Sequence, residues 1–242
     1  MRHCLILGIC VLLLSWARAG ELHGKVELVS RPRPRARGPA HMFKGNEDRY
    51  SNLRSVGYSG ERPDPNDGPS SSELARQDEV QSVVVELLDA SGKLPLSPWL
   101  GNKEKNVMHQ HHKNFIPQVV AVPKGSQVLF VNEDPFMHHI YSIGTDPKGF
   151  EIPEHRQTVT VTQNFNEPGV LELFCGLHPR MNSYIYVARS SFVCQPGKDH
   201  QFQLNNVPPG NYRLRCWHPR YGQKELDVSV PEKGSVELNL SL

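Results

Sequence analysis

From Val83 to the C terminus, short runs rich in β-branched and aromatic residues follow one another, separated by Pro, Gly, Asn and Asp. They are Val83–Leu88, Gln118–Val122, Gln127–Val131, His138–Ile143, Thr158–Thr162, Val170–Cys175 and Tyr184–Val187. No amphipathic helix of useful length interrupts them. Runs of this length and composition, bounded by turn formers, read as strands. A series of them restricts the fold to an all-β sandwich or barrel.

A second block begins near Phe192 and contains Gln201–Leu204, the turn Val207-Pro-Pro-Gly210, Tyr212–Trp217, Glu225–Val230 and Val236–Leu240. So few short strands bury little apolar area alone. The expected division is one β unit at 81–190 and a small β-sandwich at 191–242. Residues 22–30 and 81–90 are the candidates to complete the latter, which makes the first unit an insertion.

At the N terminus, Arg2 and His3 precede an apolar run from Leu5 to Leu14, then Ala17-Arg18-Ala19 before Gly20. A basic start, an apolar stretch too short to span a bilayer and an A-x-A site predict a cleavable secretory signal over residues 1–19. The expected location is periplasmic or secreted. Residues 20–80 carry scattered Pro, Gly, Ser and charge, and read as a mostly disordered linker with one candidate strand at Lys25–Val29. The basic Arg31-Pro-Arg-Pro-Arg-Ala-Arg37 belongs to this solvated stretch. No later segment is apolar enough for stable membrane insertion. A net charge of +2 over 242 residues is too small for a nucleic-acid binder that works by phosphate neutralisation.

Cleavage removes Cys4 and Cys10 and leaves Cys175, Cys194 and Cys216. An odd number of cysteines in an oxidising compartment points to one thiol with its own chemistry and one disulfide, expected between Cys194 and Cys216.

The candidate for that chemistry is Cys175-Gly-Leu-His178-Pro-Arg-Met181, which puts a thiolate, an imidazole and a thioether on one tight loop between two strands. Strand alternation puts Leu171, Leu173 and Cys175 on one face, directing the sulfur to the core. Asn132-Glu-Asp-Pro-Phe-Met-His138-His139 supplies a second imidazole, from one of two adjacent histidines. Two imidazoles, one thiolate and a weak axial thioether form the blue-copper donor set. Zinc also takes Cys and His, but a structural zinc site prefers a closed tetrahedral Cys/His set and has little use for Met181. The plain alternative is a buried thiol beside unrelated histidines. Met181, the flanking strands and the upstream histidine together argue against it. His109 and His111 form an H-x-H next to His112, which reads either as solvated surface or as an accessory metal site.

The stretch Gly125-Ser-Gln-Val-Leu-Phe-Val-Asn132, then His138, Asn166-Glu-Pro-Gly169, Cys175, His178 and Met181 resembles the cupredoxin (plastocyanin/azurin) family. The Cys-x-x-His-x-x-Met loop is most similar to that of amicyanin. Phe115-Ile-Pro117, Asn132-Glu-Asp134 and His138-His-Ile-Tyr-Ser142 resemble cupredoxin-like proteins of methylamine utilisation. The resemblance implies a Greek-key β-barrel, one type 1 copper held by His138, Cys175, His178 and Met181, and single-electron transfer. It also selects His138 over His139, since the ligand register counted from Asn132 falls there. His139 then stands where family members commonly carry Asn, and is expected to donate the hydrogen bond that ties the two ligand loops. The C-terminal block resembles the carboxypeptidase-regulatory-like β-sandwich through Phe202-Gln-Leu-Asn-Asn-Val-Pro-Pro-Gly210, Tyr212-Arg-Leu and Trp217-His-Pro-Arg220.

The expected function is therefore electron carriage between transient redox protein partners, with no small-molecule substrate and no enzymatic activity. Multicopper enzymes pass the electron to a second centre through histidines flanking the cysteine, whereas Phe174 and Gly176 flank Cys175. Phe136, Gly176, Leu177 and Pro179 are expected to surround His178 with apolar surface of the kind a small, weak encounter uses. A periplasmic copper chaperone or store, using the same four ligands, is the alternative.

Overall fold

The computed structural model describes residues 20–29, 79–89, 106–143 and 147–242. The expected signal and most of the expected linker, including Arg31–Arg37, lie outside the described residues. The described chain is β throughout apart from one 3-10 turn at Val80–Ser82. It begins with β1 (Gly20–Glu27) and β2 (Val84–Asp89), then β3 (Val107–His111), β4 (Asn114–Ile116), β5 (Val119–Pro123) and β6 (Ser126–Asn132). Next come β7 (His138–Ser142), β8 (Glu151–His155), β9 (Thr160–Phe165), β10 (Gly169–Cys175) and β11 (Asn182–Ala188). The C-terminal part adds β12 (Val193–Cys194), β13 (Gln201–Val207), β14 (Gly210–His218), β15 (Gly222–Val230) and β16 (Ser235–Ser241). Among the described residues no helix is long and apolar enough to cross a membrane.

The strands β3 to β11 form two sheets, one ordered β5-β11-β10-β7-β8 and one ordered β4-β3-β6-β9. Alternate residues of both enter one core containing Met108, Phe130, Ile140, Leu173 and Ile185, all fully buried. Cys175 and Met181 belong to this core. The parallel pairs β5–β11 and β3–β6 sit beside antiparallel ones, so strands distant in sequence close the sandwich. Pro153 lies in β8, an edge strand, where the missing N–H costs no ladder bond.

A second pair of sheets, β13-β1-β16 and β12-β2-β14-β15, encloses Leu22, Val26, Val85, Leu87, Phe202 and Leu214. Strand β1 is central, antiparallel to β13 and parallel to β16. Gly24 is required there, because a Cβ would run into the Leu238 carbonyl.

Strand β2 is buried on both faces, which explains its nearly unbroken apolar run. Val85 and Leu87 enter the second core, while Val84 packs with Val119, Tyr186, Ala188 and Val193 between the two sandwiches. Glu86 shares that face at 1% exposure. Its carboxylate accepts Tyr186 Oη–H at 2.7 Å and the N–H groups of Arg189 and Ser190 at 2.6 and 3.1 Å. Arg215 lies 3.7 Å away.

The expected disulfide does not form. Cys194 and Cys216 both lie opposite Val85, one on each side of β2. Two strand spacings separate their backbones by roughly 9.6 Å, beyond the ~7 Å reach of a disulfide. Neither sulfur is in a disulfide, and burial pushes the Cys216 thiol up to about 12.

Candidate metal centre

The loop from Gly176 to Met181 joins β10 to β11 and is closed by main-chain hydrogen bonds. Cys175 N–H donates to Met181 O at 3.2 Å, and Met181 N–H to His178 O at 3.0 Å. These bonds bring His178 back over Cys175 and turn Met181 inward, where it is 1% exposed. Strand β7 runs antiparallel to β10 with Ile140 opposite Cys175. Parity then puts His138 and Ile140 on the core face and His139 and Tyr141 on the other.

His138, Cys175 and His178 converge, with one donor atom from each within 4.8 Å of the others. Cys175 Sγ lies 3.6 Å from His138 Nδ1 and 3.4 Å from His178 Nδ1. Burial pushes the Cys175 thiol up, but the hydrogen bonds to His138 and His178, the charge of His178 and the His139 N–H outweigh it and bring it down to about 5. A thiolate is thus the resting form at neutral pH.

Asp134 orients His138. The Nε2–H of His138 donates to Asp134 Oδ2 at 2.8 Å, which turns Nδ1 toward Cys175. Desolvation lowers the basicity of His138, yet the bonds to Asp134 and Cys175 raise it above the ordinary imidazole value. Burial would raise the Asp134 carboxyl, but His138 and the N–H groups of Lys113 and His112 hold it below the usual carboxylate value. Those two N–H groups donate at 3.0 and 2.7 Å from the left-handed turn His112-Lys113. Asn132 fixes the same loop: its Oδ1 accepts Asp134 N–H at 2.9 Å, and its Nδ2 donates to Phe136 O at 2.9 Å and His155 O at 3.1 Å. Asp134 escapes a sequence reading because its partner is four residues on, outside any helix. The available signal is a carboxylate held between two turn formers, Asn132 and Pro135, just ahead of a candidate ligand.

The loop tie expected of the His139 ring is made instead by its main chain. His139 O accepts Gly176 N–H at 2.8 Å. The ring, on the outer face of β7, sits 2.8 Å from Glu151 Oε1 on β8. Gly176 leaves room for it, since a Cβ there would collide with His139 Nδ1.

The donor set fits a soft, thiophilic ion. Ligands at about 2.0 Å (nitrogen) and 2.3 Å (sulfur), seen across a tetrahedral to trigonal angle, stand about 3.5–3.7 Å apart. The observed separations of 3.4 and 3.6 Å match this without rearrangement. A thiol, an imidazole and a carboxylate in line also describe a cysteine nucleophile with its base. Here Cys175 and His138 are 1% and 0% exposed, so the sulfur lies beneath the surface. His178 alone of the three is half-buried, and its ring lies 5.5 Å from that of Phe136.

His109 and His111 fall outside this centre. They project from β3 toward Glu133, with His109 Nδ1 2.6 Å from Oε1 and His111 Nδ1 3.7 Å from Oε2. His218 ends β14 and its ring closes the following turn, Nδ1 accepting the N–H groups of Arg220 and Tyr221 at 3.0 and 3.3 Å.

No protein-family model and no curated protein matches this chain. Among solved structures, it is similar to a copper-containing nitrite reductase from Thermus scotoductus SA-01, with 27% identity and a TM-score of 0.32. That likeness covers 39% of this chain and 22% of the reductase, so the chain spans about a fifth of that protein. A reduced amicyanin variant is 16% identical with a TM-score of 0.33, covering 42% of this chain and 98% of amicyanin. A second amicyanin variant, in the Cu(I) form, is 17% identical with a TM-score of 0.32, covering 34% and 79%.

Proposed function

We propose that this chain holds one copper ion between His138, Cys175 and His178, with Met181 as the axial donor, and carries single electrons between protein partners outside the cytoplasm. The observation that carries the reading is the pair of imidazole Nδ1 atoms at 3.4 and 3.6 Å from one buried, acidic thiol. Copper held there supplies a one-electron couple, which thiolate and imidazole donors together support in both oxidation states. The protein's part is to keep the donors still. Asp134 fixes the His138 ring, the loop bonds fix Cys175 and Met181, and the core excludes water from the sulfur.

His178 is the route to the surface. It is half-buried, with Phe136 and Leu177 half-buried and Pro179 exposed around it, a patch suited to a transient redox encounter. The inaccessibility of Cys175 and His138 supports a carrier without a substrate of its own. For the second sandwich we propose a structural or docking role, supported by the Glu86 contacts that join it to the first.

The test is redox cycling of the copper-loaded protein. Reversible one-electron reduction and reoxidation with the ion retained supports the carrier. Release of the ion to an acceptor protein on each reduction replaces it with a chaperone.

A further inference from the structure

We propose that His109, His111 and Glu133 form a second, solvent-facing site for one divalent transition-metal ion, with copper(II) the preferred occupant, separate from the Cys175 centre.

The two histidines stand on one face of β3, separated by a single residue, as i and i+2 must on a strand. Glu133 leaves the end of the neighbouring β6 and reaches across both. Its two oxygens are shared out, one 2.6 Å from His109 Nδ1 and the other 3.7 Å from His111 Nδ1. That His111 nitrogen is shielded from solvent and has no hydrogen-bond partner among the described residues. It faces Glu133 Oε2 at 3.7 Å, longer than a hydrogen bond. The three side chains are 40%, 44% and 42% exposed, so a hydrated ion has access.

The backbone beneath the cluster is locked. β3 runs parallel to β6 with Gln110 opposite Asn132, and Glu133 N–H donates to Gln110 O at 2.9 Å. The following turn is tied down by the His112 and Lys113 N–H groups on Asp134. The three donor atoms are not yet gathered around one point, and the side chains close on the ion while their attachment points stay fixed. Two imidazoles and a carboxylate are nitrogen and oxygen donors without sulfur, a set suited to copper(II) and zinc and poor for copper(I). Among divalent ions, affinity for such donors peaks at copper(II).

The experiment is a copper(II) titration of the full chain carrying Cys175→Ala, followed by calorimetry and electron paramagnetic resonance. This variant removes the thiolate centre, so the outcome does not depend on the proposed electron-transfer role. One copper(II) with ordinary tetragonal parameters and nitrogen superhyperfine structure is expected. Adding His109→Ala and His111→Ala should weaken binding more than ~100-fold, since even groups behind the ligands cost about 10–100-fold when changed. Glu133→Gln, which keeps the shape of the side chain, should weaken it at least ~10-fold. Unchanged affinity in these variants, or no copper(II) bound by the Cys175→Ala protein, overturns the site.

Discussion

His138 donates from Nε2 to a carboxylate oxygen of Asp134 at 2.8 Å, with the two side chains 0% and 4% exposed. One bond thereby sets the tautomer, the ring orientation and the electron-donating strength of a candidate ligand. Asp134→Asn removes the charge and sets an amide NH2 against either the His112 or the Lys113 N–H, which loses its acceptor. We expect copper affinity to fall about 10–100-fold and the reduction potential to rise, because the oxidised ion loses a nearby negative charge. Voltammetry of the copper-loaded variant checks the sign. The apo variant should be less stable by about 1–3 kcal/mol, read from urea unfolding.

The thiol of Cys175 makes apo-protein stability depend on pH. Its folded value of about 5 lies below the ordinary 9.0, so between these limits the unfolded chain binds more protons than the folded one. Stability from this group therefore rises as pH increases from about 5 to about 9, and is lost as pH falls through 5. Urea midpoints of the apo protein measured across that window should climb relative to those of Cys175→Ser. Parallel curves would contradict the thiolate.

Cys194 and Cys216 should both alkylate in urea without prior reduction, adding two labels beyond that on Cys175. In the native protein Cys216 should resist, being 1% exposed and pushed up to about 12 by burial. A mass showing neither residue labelled in urea would restore the disulfide.

Glu86→Ala should destabilise the chain by about 3–5 kcal/mol, the range for removing one partner of a buried charged network. It strips acceptors from Tyr186 Oη–H and two backbone N–H groups and leaves Arg215 without its buried partner. Chemical unfolding followed by tryptophan emission reports directly, since the Trp217 ring packs tilted against Tyr186 with centroids 5.2 Å apart.

The strands legible in the sequence are those with at least one dry face. Val170–Cys175 shows the alternation that sends Leu171, Leu173 and Cys175 into the core, and the structure places them there. β3, β4, β8 and β12 escape notice for physical reasons. β3 carries His109, Gln110 and His111, whose polar side chains are held by Glu133 and His155 rather than by apolar burial. β8 contains Pro153, tolerated only because the strand is an edge. β4 and β12 are too short to show a period. Pairing across long sequence separations is invisible locally. Cys194 and Cys216 look like disulfide partners until β2, from about a hundred residues earlier, lies between them. The Cys175-x-x-His178-x-x-Met181 spacing was legible because one loop carries three donors, whereas Asp134 reveals its role only once the His138 ring is in place.

Copper(II) added to the reduced apo protein reports whether Cys175 Sγ, His138 Nδ1 and His178 Nδ1 hold a single ion. We predict an intense thiolate-to-copper charge-transfer colour with narrow copper hyperfine splitting, abolished by Cys175→Ala and retained by His109→Ala/His111→Ala. A protein that binds copper(II) without colour and with ordinary tetragonal hyperfine splitting, unchanged by Cys175→Ala, would contradict it.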